Sequence, residues 1–329
     1  MILAIDIGGT KLAAGLVGHD GTVAEVRRAA TPQGADAETL WRALTDLISP
    51  LGVSGVEGVG VGCGGPMTWP DGVVSTLNIP GWRGFPLRAR LAARFPGLPV
   101  RLHNDAICLA VAEHWRGAGR GYGDMLGMVV STGVGGGLIL NGRLVHGRTG
   151  NAGHIGHVVV EPEGGPRCGC GGHGCLEAVA RGPALAMWAL EQGWTPGAAS
   201  ASGGAALPGG ATTLVSVGVE DRAVTARGLA ADARAGGPVA VRAMRRAGRA
   251  LGIAIASTTH LCDLDLVTIG GGLSQAGEPL FGPLEEALRE HARMEFARRV
   301  KVLPAALGQE SCLIGAAALL LAGDAYWPT

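Results

Sequence analysis

The sequence predicts an α/β protein of two domains. The chain has 329 residues, and a typical domain contains about 150 residues. A pattern of strand, glycine-rich loop, strand and turn occurs twice, near residues 1–28 and 125–146, with a glycine-rich stretch at 117–123 between the two occurrences. This repetition suggests an internal duplication. We therefore expect a first domain at 1–118 and a larger second domain at 119–309.

The composition excludes several classes of protein. Charged residues make up only 16% of the chain, which is too few for a charge-rich disordered protein. The 27 Lys and Arg residues balance the 27 Asp and Glu residues, so we expect no basic field that attracts nucleic acid. No apolar run reaches the roughly 18 residues of a membrane span, and no secretory signal is visible. These features predict a cytoplasmic protein without a nucleic-acid or membrane partner.

In the first domain, the pattern predicts three strands before the first helix. Two apolar runs flank a glycine-rich loop, and an alternating segment follows the turn at 19–21. Apolar residues at helical spacing come next, and a strand, a helix, a short strand and another helix complete this half. The predicted strands are 1–5, 12–17, 22–28, 56–63 and 100–103, and the predicted helices are 36–49, 87–95 and 106–115.

The second domain begins with the repeated pattern and ends in helices. Asn141-Gly142 is a strong signal for a tight turn between two strands. The low-complexity segment 195–212 predicts a flexible surface loop. The final helix belongs to segment 310–329, and packing on the first domain is one of the arrangements that the sequence leaves open. The predicted strands are 125–131, 138–140, 264–269 and 300–303, and the predicted helices are 224–235, 238–260, 280–297 and 308–321.

Two glycine-rich hairpins indicate a phosphate-binding site. One follows the first strand and the other occupies the equivalent place in the second domain. Adjacent glycines let backbone N–H groups approach an anion, and an aspartate at a strand end can hold Mg²⁺. Each loop alone is also compatible with an ordinary hairpin, but two that face each other would clamp a triphosphate. The predicted phosphate-binding residues are Asp6, Gly8, Gly9, Thr10, Lys11, Thr132 and Gly133.

Two further motifs lie at predicted strand ends. Gly270, Gly271 and Gly272 precede a helix, where bare backbone gives a nucleoside a flat surface, although a plain strand-to-helix turn has the same pattern. Asn104 and Asp105 open a helix, and both residue types commonly cap helices. A carboxylate in that position can also accept a proton from a substrate hydroxyl during phosphoryl transfer. The residues themselves leave both interpretations of each motif open.

A histidine and three cysteines indicate a metal site. Cys168, Cys170 and Cys175 lie within eight residues of one another and follow His157. Three thiolates and one imidazole suit a closed tetrahedral Zn²⁺ site of the structural kind. His173, inside the loop, competes with His157 as the histidine ligand, and His157 is preferred; buried free thiols are the alternative to a metal site. The predicted zinc-binding loop covers 157–177, and the four other cysteines, which lie in apolar stretches, are expected to be core residues.

These motifs, in this order, resemble the ROK family of sugar kinases and sugar-responsive repressors. The likeness runs from Asp6 to the last helix and includes Gly-Gly-Thr-Lys, Ser-Thr-Gly-Val-Gly-Gly-Gly, Gly-His-Ile-Gly-His and Cys-Gly-Cys-Gly-Gly-His-Gly-Cys-Leu-Glu. It implies the two-domain actin-like ATPase fold, which is ribonuclease H-like, with the active site in the interdomain cleft. It further implies ATP, catalytic Mg²⁺, structural Zn²⁺, a hexose substrate and a homodimer.

The resemblance also implies roles for individual residues. Asp105 would be the general base that activates the sugar 6-hydroxyl. His157 would both bind zinc and touch the sugar, so that zinc orders the loop that presents Glu177. The implied sugar-binding residues are Gly65, Asn78, Asn104, Asp105, His154, His157 and Glu177; the implied zinc ligands are His157, Cys168, Cys170 and Cys175.

One position departs from the usual kinase pattern. Many family kinases carry Glu where this chain has His154, and a histidine there resembles the bacterial N-acetylmannosamine kinases of the family. The sequence therefore predicts an ATP-dependent hexose kinase, glucokinase-like, with an N-acetylmannosamine kinase as the alternative. A sugar-sensing regulator is disfavoured because we expect no room for a DNA-binding helix-turn-helix before the loop at Asp6. An inactive sugar-binding protein is disfavoured by the intact Thr10 and Asp105.

Overall fold

The fold is built on strands that form two main sheets and one small hairpin. The computed structural model describes residues 1–197 and 224–327. Apolar runs become strands that are buried on both faces, such as the one that opens the chain. The strands in the described residues are β1 (Ile2–Ile7), β2 (Lys11–Val17), β3 (Val23–Ala30), β4 (Val59–Cys63), β5 (Met67–Thr68), β6 (Val73–Val74), β7 (Val100–Asn104), β8 (Met125–Val130), β9 (Val134–Leu140), β10 (Arg143–Leu144), β11 (Leu266–Gly270) and β12 (Lys301–Pro304).

The two five-stranded sheets follow the same plan. Their strand orders are β3-β2-β1-β4-β7 and β10-β9-β8-β11-β12. In the first sheet β2 is antiparallel to both of its neighbours, while β1, β4 and β7 run parallel. The second sheet repeats this arrangement with β9 and with β8, β11 and β12. The sequence pattern that occurs twice therefore corresponds to a topology that occurs twice.

Helices cover these sheets and lie between them. The first begins where the Asp36 carboxylate accepts a hydrogen bond from Thr39 N–H at 2.7 Å, which is a normal N-cap. The helices in the described residues are α1 (Ala37–Ile48), α2 (Leu87–Arg94), α3 (Asp105–Arg116), α4 (Leu176–Ala180), α5 (Gly182–Glu191), α6 (Ala226–Arg234), α7 (Pro238–Cys262), α8 (Glu278–His291), α9 (Ser311–Leu321) and α10 (Gly323–Tyr326).

The core has three parts. One apolar cluster belongs to the first sheet with α1 and α2, and a second belongs to the second sheet with α4 to α8. The third lies between the two sheets and is built largely by α3 and α9. Helix α9 contacts α3 together with β1, β4 and β7. Helix α9, which falls in the predicted segment 310–329, thus packs on the first sheet, one of the arrangements that the sequence left open; the residue bounds of the two domains stay predictions.

A buried carboxylate joins the two segments that connect the halves of the molecule. Glu113, on α3, has no solvent-exposed surface. It accepts hydrogen bonds from Ala118 N–H at 2.9 Å, on the segment that leads into β8. It also accepts from Ala306 N–H at 3.0 Å and Leu307 N–H at 2.9 Å, on the segment that returns after β12. Three backbone donors satisfy the charge that burial would otherwise leave without partners.

The sequence missed several short or unpatterned elements. Hairpin β5–β6 has only two residues per strand, which is too few to show alternation. Helix α5 is apolar on nearly all sides, so no helical period marks it. The helix predicted at 280–297 ends at His291. The loop predicted at 195–212 lies outside the described residues beyond position 197. Within the described residues, no helix combines the length and apolar character that a membrane crossing requires.

Candidate functional site

A cleft of about 580 Å³ opens between the two sheets. Turns at the carboxyl ends of β1, β4, β7 and β8 form its floor, because parallel strands deliver their ends to one edge of a sheet. This cleft is lined by the residues predicted to bind phosphate or sugar, with the exception of the three glycines at 270–272. The predicted residues that line it are Asp6, Gly8, Gly9, Thr10, Lys11, Gly65, Asn78, Asn104, Asp105, Thr132, Gly133, His154, His157 and Glu177.

Asp105 lies at the floor of the cleft, where β7 ends and α3 begins. Asn104 caps the helix, since its Oδ1 accepts a hydrogen bond from Ala106 N–H at 3.0 Å. The same N–H donates to Asp105 Oδ1 at 2.8 Å. Burial, reinforced by the negative charge of Asp6, raises the pKa of Asp105 to about 6. Asn104 and Asp105 therefore share one N–H donor at the helix start, and the raised pKa of Asp105 is compatible with the general-base role that the sequence predicts.

A pair of histidines fixes the backbone that carries Asn104. His103 Nδ1 lies 2.9 Å from Asn104 N–H and must accept its proton. His103 Nε2 lies 3.0 Å from His146 Nδ1, so in its neutral form His103 donates there. Burial and the neighbouring histidines lower the pKa of His103 to about 3. The end of β7 is thus held by an uncharged hydrogen-bonded chain.

Asp6 lies at the end of β1, on the phosphate side of the cleft. Burial raises its pKa, while a hydrogen bond from the Cys312 thiol and the charge of Lys11 act in the opposite direction. Cys312 and Cys108 lie beneath the carboxylates, and a Cβ added to Gly62 would come within 2.4 Å of Cys312 Sγ. The expectation that these cysteines are core residues thus holds for Cys108, while Cys312 also contacts the site.

Two side chains hold the first glycine-rich hairpin, predicted to bind phosphate, by donating hydrogen bonds to its carbonyl groups. Thr31 Oγ1 donates to Gly8 O at 2.7 Å, and Gln33 Nε2 donates to Gly9 O at 2.7 Å. A Cβ on Gly9 would lie 2.6 Å from Asn78 Cβ, so only glycine allows this close approach. These two hydrogen bonds fix the conformation of the turn where it borders the cleft.

The second hairpin is tied to the zinc-binding loop. Glu177 Oε2 accepts a hydrogen bond from Val134 N–H at 2.9 Å. It would also lie 2.8 Å from a Cβ on Gly133. The predicted sugar-binding glutamate therefore braces the backbone of the hairpin. Gly271 passes behind the hairpin, where a Cβ would lie 2.4 Å from Val130 O, so the three glycines at 270–272 border the hairpin rather than line the cleft.

Gly65 and His154 face each other in the part of the cleft where the resemblance implies sugar binding. A Cβ on Gly65 would lie 3.5 Å from His154 Nε2 and 3.0 Å from Asn104 Nδ2. His154 Nδ1 lies 2.9 Å from Asn151 O, and because a carbonyl only accepts, Nδ1 carries the proton. Burial lowers the pKa of His154. The ring is therefore neutral at physiological pH, and its Nε2 offers a hydrogen-bond acceptor to the cleft.

The four predicted metal ligands come together at the rim of the cleft. One ligand atom each from His157, Cys168, Cys170 and Cys175 lies within 4.8 Å of the others. Cys168 Sγ is 3.7 Å from His157 Nδ1, and Cys170 Sγ is 3.8 Å from Cys175 Sγ. Sulfur ligands about 2.3 Å from a tetrahedral Zn²⁺ lie roughly 3.8 Å apart. The donor set and these two spacings thus fit a tetrahedral Zn²⁺ site.

The cleft also contains residues that the sequence did not single out. Several belong to quoted motifs without having been chosen: Gly64, Pro66, Thr76, Leu77, Ser131, Gly135 and Gly136. Cys170 lines the cleft as well as belonging to the metal cluster. No local pattern marks Asn151, whose side chain bonds to Met67 across 84 positions of sequence. Only the tertiary structure reveals such a contact.

Comparisons with known proteins agree with this arrangement. A sequence profile described as the ROK family matches residues 2–322. The chain is 34% identical over 321 residues to a glucokinase of Thermotoga maritima, covering 97% of this chain and 96% of the relative. It is 36% identical over 321 residues to an N-acetylmannosamine kinase of Shigella flexneri, covering 97% of both chains.

A solved structure extends the likeness to three dimensions. It is a ROK family glucokinase from Streptomyces griseus in complex with glucose and AMPPNP, with a TM-score of 0.80 and 34% identity. The match covers 97% of this chain and 98% of that one. The predicted actin-like ATPase fold, with two α/β halves, is confirmed. From the profile match and these relatives, it follows that the chain belongs to the ROK family.

Proposed function

We propose that this chain is an ATP-dependent hexose kinase, glucokinase-like, which phosphorylates the 6-hydroxyl of its sugar. The observation that carries the proposal is Asp105, a carboxylate of raised pKa that lies between two glycine hairpins and a polar sugar-side pocket. The Thermotoga glucokinase and the Streptomyces complex with glucose and AMPPNP support the same activity.

In the proposed reaction, Asp105 is the general base. Its carboxylate accepts the proton of the 6-hydroxyl while that oxygen attacks the γ-phosphorus of ATP. The bond from the γ-phosphorus to the bridging oxygen breaks, and ADP leaves with the electron pair. Asn104, fixed by His103 and its own capping bond, is placed to orient neighbouring sugar hydroxyls. Removal of a general base commonly costs about 10²–10⁴-fold in rate.

The phosphate groups of ATP are assigned to the two hairpins. Thr10 supplies a hydroxyl and Lys11 a positive charge from the first hairpin, and Thr132 and Gly133 contact the phosphates from the second. Asp6 would hold Mg²⁺, which neutralises phosphate charge when bound. Gly270–Gly272 are assigned to the nucleoside, since they pass beside the second hairpin.

Zinc is assigned a structural role. The ion would be held by His157, Cys168, Cys170 and Cys175. When bound, it would stabilise the loop that presents Glu177 to the cleft. His157 uses Nδ1 toward the cysteines and also lines the cleft, so its other ring nitrogen is assigned to the sugar.

N-Acetylmannosamine kinase is the second candidate, and His154 is the observation that favours it. Its Nε2 is an acceptor, which suits the N–H of a 2-acetamido group, whereas the glutamate found in many family kinases would bind hydroxyls. The Shigella relative supports this alternative. The raised pKa of Asp105 disfavours a regulator or an inactive sugar-binding protein, since neither requires a general base. A homodimer and a cytoplasmic location remain predictions.

The direct test is ADP release from ATP, coupled to a spectroscopic readout. Glucose, mannose, N-acetylmannosamine and N-acetylglucosamine would each be offered to the purified protein. We expect release with at least one of them and none without sugar. Absence of sugar-dependent ADP release with all four would reject the kinase assignment, and the order of kcat/KM values decides between the two candidates.

A further inference from the structure

Asn151 connects the two walls of the proposed sugar pocket. One wall is the turn after β4, which contains Gly65, and the other is formed by His154, at the end of the segment 149–154 that follows β10. These walls belong to different sheets. Asn151 Nδ2 donates to Met67 O at 3.0 Å, and Asn151 Oδ1 accepts from Met67 N–H at 3.4 Å. The amide thus pairs with both backbone polar groups of a residue two positions after Gly65.

The same asparagine holds its own turn and the ring of His154. Its Nδ2 lies 2.9 Å from Thr149 O and 3.1 Å from Thr149 Oγ1. Its backbone carbonyl oxygen accepts a hydrogen bond from His154 Nδ1 at 2.9 Å, a contact that does not involve the asparagine side chain. A further hydrogen bond, from Trp69 N–H to Thr149 O at 3.3 Å, joins the same two walls. The backbone of Asn151 therefore sets the tautomer of His154, while its side chain sets the position of the turn relative to the opposite wall.

We propose that Asn151 is a positioning residue for sugar selection. It holds His154 Nε2 at a fixed distance from the Gly65 turn, so that the sugar substituent lying between them meets an acceptor rather than a gap. The inference rests on the proposed hexose kinase activity and deepens it. Asn151 is not itself placed against the sugar; its side chain acts through the backbone of Met67 and through Thr149, and so locates the turn that carries His154.

Selection by positioning differs from simple stabilisation of the fold. If Asn151 only stabilised the protein, its loss would lower the melting temperature and leave the preference among sugars unchanged. If it positions His154, its loss changes sugar KM and the ratio of kcat/KM between glucose and N-acetylmannosamine. Lys11 and Thr10 lie on the phosphate side, so the KM for ATP serves as an internal reference.

The experiment compares Asn151→Ala with Arg148→Ala, an exposed position in the same segment. For Asn151→Ala we expect the sugar KM to rise roughly tenfold, the size expected for loss of one or two hydrogen bonds. We expect kcat and the KM for ATP to stay within about twofold. Arg148→Ala should match the parent protein. Unchanged sugar KM and unchanged sugar ratio in Asn151→Ala would overturn the inference.

A double-mutant cycle tests the route through His154. In a His154→Ala background, Asn151→Ala should change the sugar ratio no further, because the ring that it positions is gone. Effects that simply add would overturn the proposal. Asn151→Asp provides a second variant of the same shape that cannot donate to Met67 O, and its sugar KM should rise at least as much. A parent protein that phosphorylates none of the sugars rejects the proposed function, whereas an active parent with an indifferent Asn151→Ala rejects only this inference.

Discussion

Glu177 accepts a hydrogen bond from Val134 N–H at 2.9 Å, which joins the predicted zinc-binding loop to the second glycine-rich hairpin. Glu177 lies two residues after Cys175, one of the four metal ligands. A short path through Cys175, Glu177 and Val134 therefore connects the Cys/His cluster with the predicted sugar-binding and phosphate-binding parts of the cleft. A change at the cysteines is expected to reach both substrates.

The first prediction concerns zinc. Freshly purified protein should contain one Zn²⁺ per chain by elemental analysis. Cys170→Ala should lower the melting temperature and raise the KM for sugar, because the loop that carries Glu177 loses its anchor. Cys262→Ala, at the end of α7 and outside the cluster, is the matched control. Zinc-free protein, or a destabilised Cys170→Ala with normal sugar KM, would contradict the proposed link.

The second prediction concerns the base. Asp105→Asn keeps the shape of the side chain but cannot accept the proton, so kcat should fall about 10²–10⁴-fold. Sugar binding, measured by calorimetry, should persist. Asp46→Asn, an exposed position on α1, serves as the control and should keep full activity. Near-normal turnover by Asp105→Asn would refute the assignment.

The third prediction concerns pH. The pKa of Asp105 is raised to about 6, so kcat/KM should rise as pH increases through about 6 and the carboxylate forms. A raised folded-state pKa means that the protonated form is favoured by folding. Stability from this group is full below its unfolded pKa of about 3.9 and is lost as pH rises through 6. The melting temperature of Asp105→Asn should therefore exceed that of the parent more at pH 7 than at pH 4; an equal difference at both would contradict the raised pKa.

The fourth prediction concerns sugar preference. A glutamate in place of His154 would accept hydrogen bonds from hydroxyl groups and would carry charge. His154→Glu should shift kcat/KM toward glucose and away from N-acetylmannosamine. A hydrogen bond to a buried partner contributes roughly 0.5–1.5 kcal/mol, so the ratio should change by about two- to tenfold. A ratio that stays constant would show that His154 does not contact the distinguishing part of the sugar.

Much of the site was predictable because its parts are local in sequence. The hairpin at Gly8 and Gly9, the helix start at Asp105 and the cysteine cluster each have a short pattern with a physical meaning. The repeat of one pattern in both halves predicted that two hairpins share a cleft. The hydrogen bonds by which Asn104 and Asp105 both accept from Ala106 N–H required coordinates.

The sequence could not show the contacts between residues that lie far apart along the chain. The bracing of Val134 by Glu177 spans 43 positions, and the pairing of Asn151 with Met67 spans 84. Hydrogen bonds of this kind depend on how the sheets are placed, and a side chain that makes them has no periodicity to reveal it. Helix α5 was missed for the opposite reason, since its apolar residues surround the axis and give no amphipathic signal.

The carboxylate of Glu113 has a mechanical consequence. The chain passes from one half to the other at 117–124 and returns at 305–310, and Glu113 binds N–H groups on both passages. Any rotation of one half relative to the other must bend these two connecting segments. Because the side chain of Glu113 binds both segments, it keeps them side by side, and a rotation that widened or narrowed the cleft would have to bend both at the same place.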